Sequence, residues 1–457
     1  MKRVDVAIVG GGPAGTCAAI EAAEHGVDAL VLEKGVPRAD REGLGPDSTD
    51  AAGMLDYWVD IMQFDPADFP EGVKLQELDA VDFVGPTETC TLESTGIDSS
   101  YDRLGYTFQR ARMDDYLRDL AEEEGASYEV GVSVKNVETD LDEEYRHTVE
   151  LADGENVEAK YLVLADGPQR TITIPTLDQF VPDGQSIADV MSPPTANHIA
   201  YQEHREVPEE VFEETNLKFW WGWMPGETAY PWVFPNDGNV ARIGLTMPIG
   251  MTLDDVENPE GYRLLESADE RLPRAGEYIR RLLEIEYGDE YDIDEDFPLV
   301  EDRGKTGGTE TYPISSTRPI DSPTEAGIAV AGGAMGTTSA FHEGGYHVAC
   351  RTGKLAGRLA AVDSLHRYND LWKDAIGDEI LRNITFADIV GDYDPDDWDS
   401  TFGAARKLMS DGSDGSLVKS KLSGGFSGMK LLAKYKREKR SIKKSGYVQF
   451  REDQYTV

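Results

Sequence analysis

The N-terminal residues combine two apolar runs with a helical pattern between them. Residues 4–9 (VDVAIV) are rich in β-branched side chains and end in glycines, which is typical of a buried parallel strand. Residues 13–26 (PAGTCAAIEAAEHG) predict a helix that ends at a glycine, and residues 27–34 (VDALVLEK) predict a second strand. The pattern therefore predicts a strand–helix–strand unit of about thirty residues.

Two later segments repeat the pattern of a buried parallel strand. Residues 160–167 (KYLVLADG) form an apolar run that stops at a glycine, and residues 327–336 (GIAVAGGAMG) form another, followed by a helical pattern. Because these runs share the parallel-strand pattern, we expect segments 1–35, 160–170 and 327–360 to lie in one sheet.

Between residues 172 and 314 the pattern changes to alternating aromatic and polar runs separated by Pro/Gly turns, which predicts a separate antiparallel sheet. Tyr230, Trp232 and Phe234 occupy every second position, so their rings lie on one face of an extended strand. The PNDG sequence at 235–238 predicts the turn of a hairpin.

A second aromatic run, residues 218–226 (KFWWGWMPG), predicts a neighbouring strand. Phe219, Trp221 and Trp223 also occupy every second position, so we expect their rings on one face. Such a face must meet a core, a partner or a ligand.

The charge of the chain is strongly acidic. Its 87 acidic and 44 basic residues give a net charge of −43, which repels phosphates and argues against nucleic-acid binding. A hydrophobic content of 40% argues against disorder. Because molar salt shortens the Debye length to roughly 3 Å, we interpret the charge as an adaptation to a KCl-rich cytoplasm, as in halophilic archaea.

Cysteine spacing and hydropathy limit the kinds of cross-link and metal site, and the cellular location, that we expect for this chain. Cys17, Cys90 and Cys350 are far apart and include no CxxC pair, so we expect no disulfide framework, no four-cysteine cluster and no metal site. No signal peptide and no run of about 18 apolar residues is visible, which predicts a cytoplasmic protein.

A glycine motif joins the first strand to the first helix. Gly10 permits a tight turn, Gly12 lets a pyrophosphate approach the backbone, and Gly15 lets helix and strand pack closely. Glu33 ends the second strand, where a carboxylate can bind a ribose hydroxyl. The strand, helix and acid in register predict a dinucleotide site, with Pro13, Ala14 and Lys34 as further candidates.

Two more segments, LADGPQR and GIAVAGGAMGTTSAFHEGG, resemble the second and third fingerprints of FAD proteins with the hydroxybenzoate-hydroxylase-like fold. FQRARMDDYLRDLA resembles the same group's Arg-x-x-x-Asp helix, which places Arg110 near the flavin. The resemblance implies noncovalent FAD and adds these cofactor-binding candidates: Ala165, Asp166, Gly167, Gly332, Gly333, Gly344 and Gly345.

One position departs from the family pattern. The third fingerprint usually contains Gly-Asp, whose carboxylate binds a ribityl hydroxyl, whereas this chain has Gly332-Gly333. We therefore expect one cofactor contact to be missing.

YPWVFPNDGNVARIGL closely resembles the Tyr-x-Trp-x-Phe-Pro motif of geranylgeranyl reductases, which saturate the isoprenoid chains of archaeal lipids, chlorophyll precursors or quinones. The resemblance runs from residue 1 to about residue 360. It implies that Tyr230, Trp232 and Phe234 line a cavity beside the flavin. The alternative is that these rings only fill the core of a sheet.

The sequence does not identify which residue donates the proton in such a reduction. Such reductases often carry a cysteine in a glycine-rich loop after the second strand, but residues 41–50 (REGLGPDSTD) contain none. His342 and Glu343 are candidates by position, although either can instead be a helix cap or a neighbour of the pyrophosphate.

The resemblance implies an α/β fold with a discontinuous, Rossmann-like FAD-binding domain (residues 1–171 and 315–362), an antiparallel-sheet substrate domain (172–314) and a C-terminal helical region (363–457). Residues 419–444 carry ten Lys/Arg and one acid. This basic tail either docks on the acidic body of the protein or contacts anionic lipid at the inner face of the membrane.

The resemblance favours an FAD-dependent reductase of isoprenoid lipid or quinone chains, with ferredoxin or NAD(P)H as electron donor. One alternative is a dehydrogenase similar to electron-transfer flavoprotein–quinone oxidoreductase, which the third fingerprint also resembles. Others are a flavin monooxygenase and a flavoprotein that only binds lipid or a partner.

Overall fold

The structure is a computed structural model, and it describes residues 1–40, 53–212, 216–410 and 426–457. Its strands are β1 (Lys2–Val9), β2 (Ala29–Glu33), β3 (Gly53–Leu55), β4 (Lys74–Leu78), β5 (Ala80–Val84), β6 (Thr89–Leu92), β7 (Gly105–Phe108), β8 (Ser127–Val130), β9 (Val134–Thr139), β10 (His147–Leu151), β11 (Asn156–Leu164), β12 (His198–Glu206), β13 (Asn216–Trp220), β14 (Tyr230–Pro235), β15 (Val240–Pro248), β16 (Thr309–Ile314) and β17 (Ile328–Val330). Its helices are α1 (Pro13–Glu24), α2 (Asp56–Met62), α3 (Arg110–Glu123), α4 (Thr173–Leu177), α5 (Ile187–Val190), α6 (Ala275–Tyr287), α7 (Ile293–Asp296), α8 (Tyr346–Ala361), α9 (Tyr368–Val390), α10 (Pro395–Ser410) and α11 (Phe426–Ser445).

The first sheet joins segments that lie far apart in the sequence. Its order is β8-β2-β1-β11-β10-β9, with β17 also paired to β11. β1 is parallel to both β2 and β11, and β17 is parallel to the last residues of β11. The predicted sharing of one sheet by the three glycine-terminated strands is therefore confirmed. Their carboxyl ends lie at the same edge, where α/β sheets bind ligands.

Helices α1 and α8 cross in close backbone contact beside this sheet. A Cβ at Gly353 would lie 2.0 Å from the Ala14 carbonyl oxygen, and one at Gly357 would lie 2.0 Å from that of Ala18. Only glycine permits this approach. The contact brings the N-termini of both helices to the same edge of the sheet.

The second sheet has the order β16-β12-β15-β14-β13-β5-β6. The predicted hairpin is confirmed, since β14 and β15 pair antiparallel and Trp232 lies opposite Gly244. The expectation of an antiparallel sheet confined to residues 172–314 needs two corrections. β5 and β6, from residues 80–92, belong to the sheet, and β5 is parallel to β13. Because no hairpin joins β5 to β13, the intervening chain leaves their relative direction free.

The two faces of the second sheet contact different cores. Val233, Ile243 and Trp223 pack with helix α6 on one face. Tyr230 and Trp232 pack on the other face with residues of α10. Successive side chains of β14 therefore point alternately to a structural core on one side of the sheet and to the predicted aromatic face on the other. A small third sheet, β3-β7-β4, lies outside both larger sheets.

The acidic region after residue 390 contains helix α10. Helix α10 begins at Pro395, and the Asp394 carboxylate accepts the Asp397 backbone N–H at 2.9 Å. A capping Asp before Pro at the first helical position is a helix-start signal that outweighs the local charge density. Trp398 and Phe402 then pack this helix onto the aromatic face of the second sheet.

The basic helix α11 packs on the body of the protein. The ring of Tyr435 stacks on Phe386 of α9 with centroids 5.1 Å apart, and Ile442 is buried. The Lys434 ammonium donates to the Ile389 carbonyl oxygen at 3.1 Å. Within the four described ranges, none of the helices is both long and apolar enough to cross a bilayer.

Candidate functional site

A cavity of about 560 Å³ lies between the carboxyl edge of the first sheet and the aromatic face of the second. Its first end is formed by loops that follow β1, β11 and β17 and by the loop before α8. The cavity-lining residues from these loops are Gly12, Pro13, Ala14, Ala165, Gly167, Gly333, Gly344 and Gly345. Its other end is apolar and is lined by Val81, Phe83, Leu92, Leu217, Phe219, Trp221, Tyr230, Trp232 and Phe234.

The glycine loop after β1 forms the cradle at the first end. A Cβ at Gly10 would lie 2.4 Å from the Ala165 carbonyl oxygen, and one at Gly15 would lie 1.8 Å from the Gly10 carbonyl oxygen. A Cβ at Gly12 would meet no atom within 4 Å, so this position opens into the cavity. The N-terminus of α1, which begins at Pro13, supplies amide donors and a positive dipole there. The cradle fits a pyrophosphate.

Glu33 stands at the end of β2 and organises the backbone around it. Its carboxylate accepts the N–H groups of Gly11 and Gly35, each at 2.5 Å. Each carboxylate oxygen keeps acceptor capacity for a ribose hydroxyl. Lys34, by contrast, is exposed beyond the strand.

Asp166 has a structural contact within the ADG turn. Its carboxylate accepts the backbone N–H groups of Ile172 at 2.7 Å and Thr173 at 3.1 Å, which caps the start of α4. Its neighbours Ala165 and Gly167 line the cavity. The turn thus presents backbone to the cavity while the carboxylate holds the following helix.

Arg170 ties the cofactor-side loops together, and the sequence analysis did not single it out. Its buried guanidinium donates to the carbonyl oxygens of Gly333 at 3.0 Å and Ala334 at 2.9 Å, and to Ser315 Oγ at 3.0 Å. These bonds fix the loop in which Gly332-Gly333 replaces Gly-Asp. The arginine in LADGPQR is the signal that could have identified it.

Arg110, which the family resemblance places near the flavin, lines the cavity from the start of α3. Its Nε donates to Asp114 Oδ1 at 2.8 Å, and its guanidinium lies 5.0 Å from the centre of the Tyr346 ring. The carboxylate and the ring hold this cation at the cavity wall.

The three rings of β14 lie on the cavity side, as predicted, and Val233 packs on the opposite face. The Trp221 ring stacks on Tyr230 with centroids 4.2 Å apart. The expectation that Trp223 shares this face is wrong. Gly222 adopts a left-handed conformation (φ +74°), which ends the alternation of β13 and sends Trp223 into the other core.

The C-terminal helices complete the aromatic wall, which the sequence analysis missed. Trp398 of α10 packs on the cavity-lining Trp221 with centroids 4.7 Å apart, and Phe402 stacks on Phe83 at 6.2 Å. Phe341 lines the cavity and contacts Phe386 of α9. Sequence periodicity gives no signal for these contacts because they join distant segments.

His342 and Glu343 both line the cavity. Burial lowers the pKa of His342 to about 4, so its ring is neutral at neutral pH. Its Nδ1 lies 3.2 Å from the Gly344 N–H, and its carbonyl oxygen accepts the Tyr230 hydroxyl at 2.6 Å. The loop at 41–50, where the family cysteine was expected and not found, lies outside the described residues. The three cysteines of the chain are buried, and none lines the cavity.

His347, a buried residue in the first turn of α8, pairs with Glu379 of α9. Its Nε2 lies 2.6 Å from Glu379 Oε1, and its ring stacks on Trp58 with centroids 4.0 Å apart. Burial alone would raise the pKa of Glu379, but His347 and nearby arginines outweigh it and lower the pKa to about 2. An ionised Glu379 therefore orients His347 at the cavity wall.

Comparison with known proteins identifies relatives of the chain. Residues 5–60 match the FAD binding domain family. Digeranylgeranylglycerophospholipid reductase 2 of Methanopyrus kandleri is 24% identical over 82% of this chain and 83% of its own length. A crystal structure of a geranylgeranyl bacteriochlorophyll reductase-like protein from Thermoplasma acidophilum has a TM-score of 0.69 at 19% identity, covering 97% of this chain and 99% of that chain. Protein FixC of Salmonella typhi is 29% identical over 36% of each chain.

Proposed function

We propose that this chain, an FAD-dependent oxidoreductase related to the geranylgeranyl reductases, saturates double bonds in the isoprenoid chains of membrane lipids or quinones. The observation that carries the proposal is the shape of the cavity. One continuous space joins the glycine cradle around Gly12 to the aromatic face formed by Tyr230, Trp232 and Phe234. A cofactor on the cradle and an apolar chain on the aromatic face would therefore share one space.

The residues of the cradle fit FAD. Gly12 leaves room for the pyrophosphate, and the N-terminus of α1 favours its negative charge. The Glu33 carboxylate can accept a hydrogen bond from a ribose hydroxyl. The loop around Gly333 and the side chain of Arg110, which both line the cavity, would hold the remainder of the cofactor. Reduced FAD supplies the hydride that an isoprenoid double bond needs.

The aromatic face supports the reaction in two ways. Its rings solvate an apolar chain and exclude water. An isolated double bond is not activated for hydride addition, so positive charge builds on the more substituted carbon as a proton and a hydride are added. Aromatic faces stabilise such charge by roughly 1–2 kcal/mol each when water is excluded. Tyr230, Trp232 and Phe234 are proposed to contact the reacting part of the chain.

The test is a direct assay without oxygen. Purified enzyme, reduced by dithionite, is incubated with a digeranylgeranyl glycerophospholipid or with a polyprenyl quinone, and the products are analysed by mass spectrometry. Saturation adds two hydrogens for each double bond. We expect added hydrogens in the isoprenoid chains of at least one substrate. If both substrates return with their chains unchanged while the bound flavin is fully reduced, the proposal is wrong.

The resemblance of the third fingerprint to electron-transfer flavoprotein–quinone oxidoreductase favours a second candidate, electron transfer to or from a quinone head group. The sequence offers no four cysteines for an iron–sulfur cluster, so this function would need a separate donor such as ferredoxin. The same assay separates the candidates. Quinone head-group reduction with an intact side chain supports the second, and saturation of the side chain supports the first.

Helix α11 supports a peripheral contact with the membrane that holds the substrate. One side of the helix packs on α9, while the cationic side chains of Lys436, Arg437, Arg440, Lys443 and Lys444 are exposed. Docking on the body and contact with lipid are therefore compatible. We propose that these cations place the enzyme on anionic lipid, with Leu432 exposed beside them.

The acidic charge supports a working environment of molar salt. At a net charge of −43, self-repulsion opposes the compact state unless salt screens it. We propose that the protein folds and works in a KCl-rich cytoplasm.

A further inference from the structure

Glu343 holds an uncommon backbone conformation at the cavity wall. Its φ of +57° lies in the left-handed region, where residues other than glycine are infrequent. The turn is closed by two backbone hydrogen bonds, from Glu343 N–H to Ser339 O at 3.0 Å and from Ser339 N–H to Gly344 O at 2.9 Å. A buried carboxyl is therefore kept at a strained position that glycine would occupy more easily, and strained residues cluster at functional sites.

Two threonine hydroxyls hold the carboxyl of Glu343. Thr228 Oγ1 lies 2.9 Å from its Oε1, and Thr246 Oγ1 is hydrogen-bonded to its Oε2. Thr246 lies opposite Tyr230 in the β14–β15 pair and lines the same cavity. Hydroxyl groups both donate and accept, so this pair accommodates a protonated carboxyl.

In the part of the chain that the structure describes, the one basic side chain recorded as an ion-pair candidate for Glu343 is His198. His198 Nε2 lies 3.5 Å from its Oε1, but burial lowers the pKa of His198, and its Nε2 lies 3.1 Å from the Glu227 carbonyl oxygen. Tyr230 and Tyr312 lie nearby on the sheet, and burial raises the pKa of Tyr230 well above its usual value. The neighbour His342 is also neutral at neutral pH.

Burial, opposed in part by the hydroxyls of Thr246 and Thr228, raises the pKa of Glu343 to about 8. The carboxyl therefore keeps its proton at neutral pH, which is the state that a proton donor needs. His342 is less suited to this role, since a neutral imidazole lacks the acidic proton of an imidazolium.

We propose that Glu343 is the proton donor for double-bond reduction, an inference that rests on the proposed function. The O–H bond of Glu343 breaks and its proton forms one new C–H bond, while a hydride, which bound reduced FAD would supply, forms the other. The π bond is lost, and Glu343 is left as a carboxylate that takes a proton from water once the product leaves. Regeneration of reduced FAD would need an external electron donor, such as ferredoxin or NAD(P)H.

The first test follows a single turnover by mass spectrometry with enzyme already reduced by dithionite. Glu343→Gln keeps the hydrogen-bonding shape without the acidic proton and should slow saturation by about 10²- to 10⁴-fold, as general acids contribute. FAD affinity and flavin reduction by dithionite should stay unchanged. The wild-type rate should fall above about pH 8, whereas the residual rate of the variant should not. A wild-type rate in Glu343→Gln would overturn the inference.

The second test is independent of turnover. The infrared carbonyl band of a protonated carboxylic acid should persist in the wild-type holoenzyme up to about pH 8 and be missing in Glu343→Gln. Thr246→Val should shift this band, because the carboxyl loses one hydrogen bond. Asp321→Asn is the control, since Asp321 is a buried carboxyl that pairs with Lys373 away from the cavity. It should leave the band and the pH profile of turnover unchanged.

These results separate the inference from the proposed function. If wild-type enzyme saturates no isoprenoid, the proposed function fails and the role of Glu343 as its proton donor fails with it, while the infrared band still reports the protonation of the carboxyl. An ionised Glu343 at pH 7 in the wild-type holoenzyme overturns the inference whatever the substrate. The wild-type titration also provides a test if Glu343→Gln does not fold.

Discussion

The Trp232 ring covers Gly244 on the neighbouring strand. The two residues lie opposite each other in the β14–β15 pair, and a Cβ at Gly244 would come within 2.7 Å of the indole. The same Cβ would lie 2.6 Å from the Tyr201 carbonyl oxygen. Glycine at this position therefore lets the ring approach the backbone of β15 closely, and the ring lines the cavity.

Trp232→Ala should slow single-turnover saturation far more than flavin reduction by an artificial donor. Loss of a ring near developing charge costs about 1–2 kcal/mol, or roughly 5- to 30-fold in rate. Val233→Ala is the matched control, because Val233 packs in the core on the opposite face. It should cost stability and leave the rate unchanged.

A role of Trp232 in the core alone predicts the reverse. Trp232→Ala would then cost about 3–5 kcal/mol of unfolding free energy and leave the folded fraction fully active. Unfolding free energy and single-turnover rate, measured on the same two variants, separate these roles. Equal rates for wild type and folded Trp232→Ala would end the proposal that this ring contacts substrate.

Gly12→Val should abolish FAD binding while leaving the fold intact. The backbone of Gly12 is extended (φ −73°, ψ −175°), which valine adopts readily, and its Cβ would meet only open space. Gly15→Ala is the contrast, because its Cβ would lie 1.8 Å from the Gly10 carbonyl oxygen and should destabilise the fold itself. Absorbance of bound flavin and circular dichroism distinguish the outcomes. Wild-type flavin content in Gly12→Val would rule out the proposed cradle.

Glu343 should make the stability of the protein depend on pH. Burial raises its pKa from 4.5 to about 8 in the folded state, so only the folded state keeps the proton between these values. Stability from this group is complete below pH 4.5 and falls as pH rises to about 8. The total loss is at most about 4–5 kcal/mol.

Glu343→Gln lacks this titration, so its stability relative to wild type should increase from pH 5 to pH 9. Thermal melts at fixed KCl measure the difference, and contributions of other groups cancel in the comparison. Parallel curves for the two proteins across this range would contradict the raised pKa.

The melting temperature should fall as KCl is removed. Below about 0.5 M KCl, unscreened repulsion among carboxylates should open the structure. A KCl series followed by circular dichroism tests this expectation, and sucrose in place of KCl controls for general solute effects. A melting temperature that is independent of KCl would refute the proposed salt adaptation.

Neutralising the exposed cations of α11 should release the enzyme from anionic vesicles without loss of FAD. The substitutions are Lys436→Gln, Arg437→Gln, Arg440→Gln, Lys443→Gln and Lys444→Gln. Point substitutions suit this test because truncation would also remove Ile442 and Phe450 from the core. Each cation contributes about 1 kcal/mol near an anionic surface, and less as salt rises.

Co-sedimentation at several salt concentrations measures this association. Lys2→Gln with Lys135→Gln is the control, since both cations are exposed elsewhere on the surface. Equal sedimentation of the α11 variant and wild type would show that the exposed cations do not hold the enzyme on lipid.

The local sequence was sufficient for much of the fold. Apolar runs that end at glycines were enough to predict β1, α1 and β2. A buried parallel strand and a helix each require a characteristic spacing of apolar residues along the chain. The shared face of Tyr230, Trp232 and Phe234 followed from the strict alternation of an extended strand. Trp223 departed from its predicted face because the single backbone angle of Gly222 interrupts that alternation.

The tertiary structure decided the features that depend on contacts between distant segments. No local sequence pattern predicts the pairing of β5 with β13, the packing of Trp398 on Trp221, or the hydrogen bonds of Arg170. Burial of Glu343 between two threonines is of the same kind, because the pKa of a carboxyl depends on the groups around it in space. The sequence by itself determined which elements form and which residue types they present. Packing determined which side chains meet, since contact energies depend on distance in space rather than on separation along the chain.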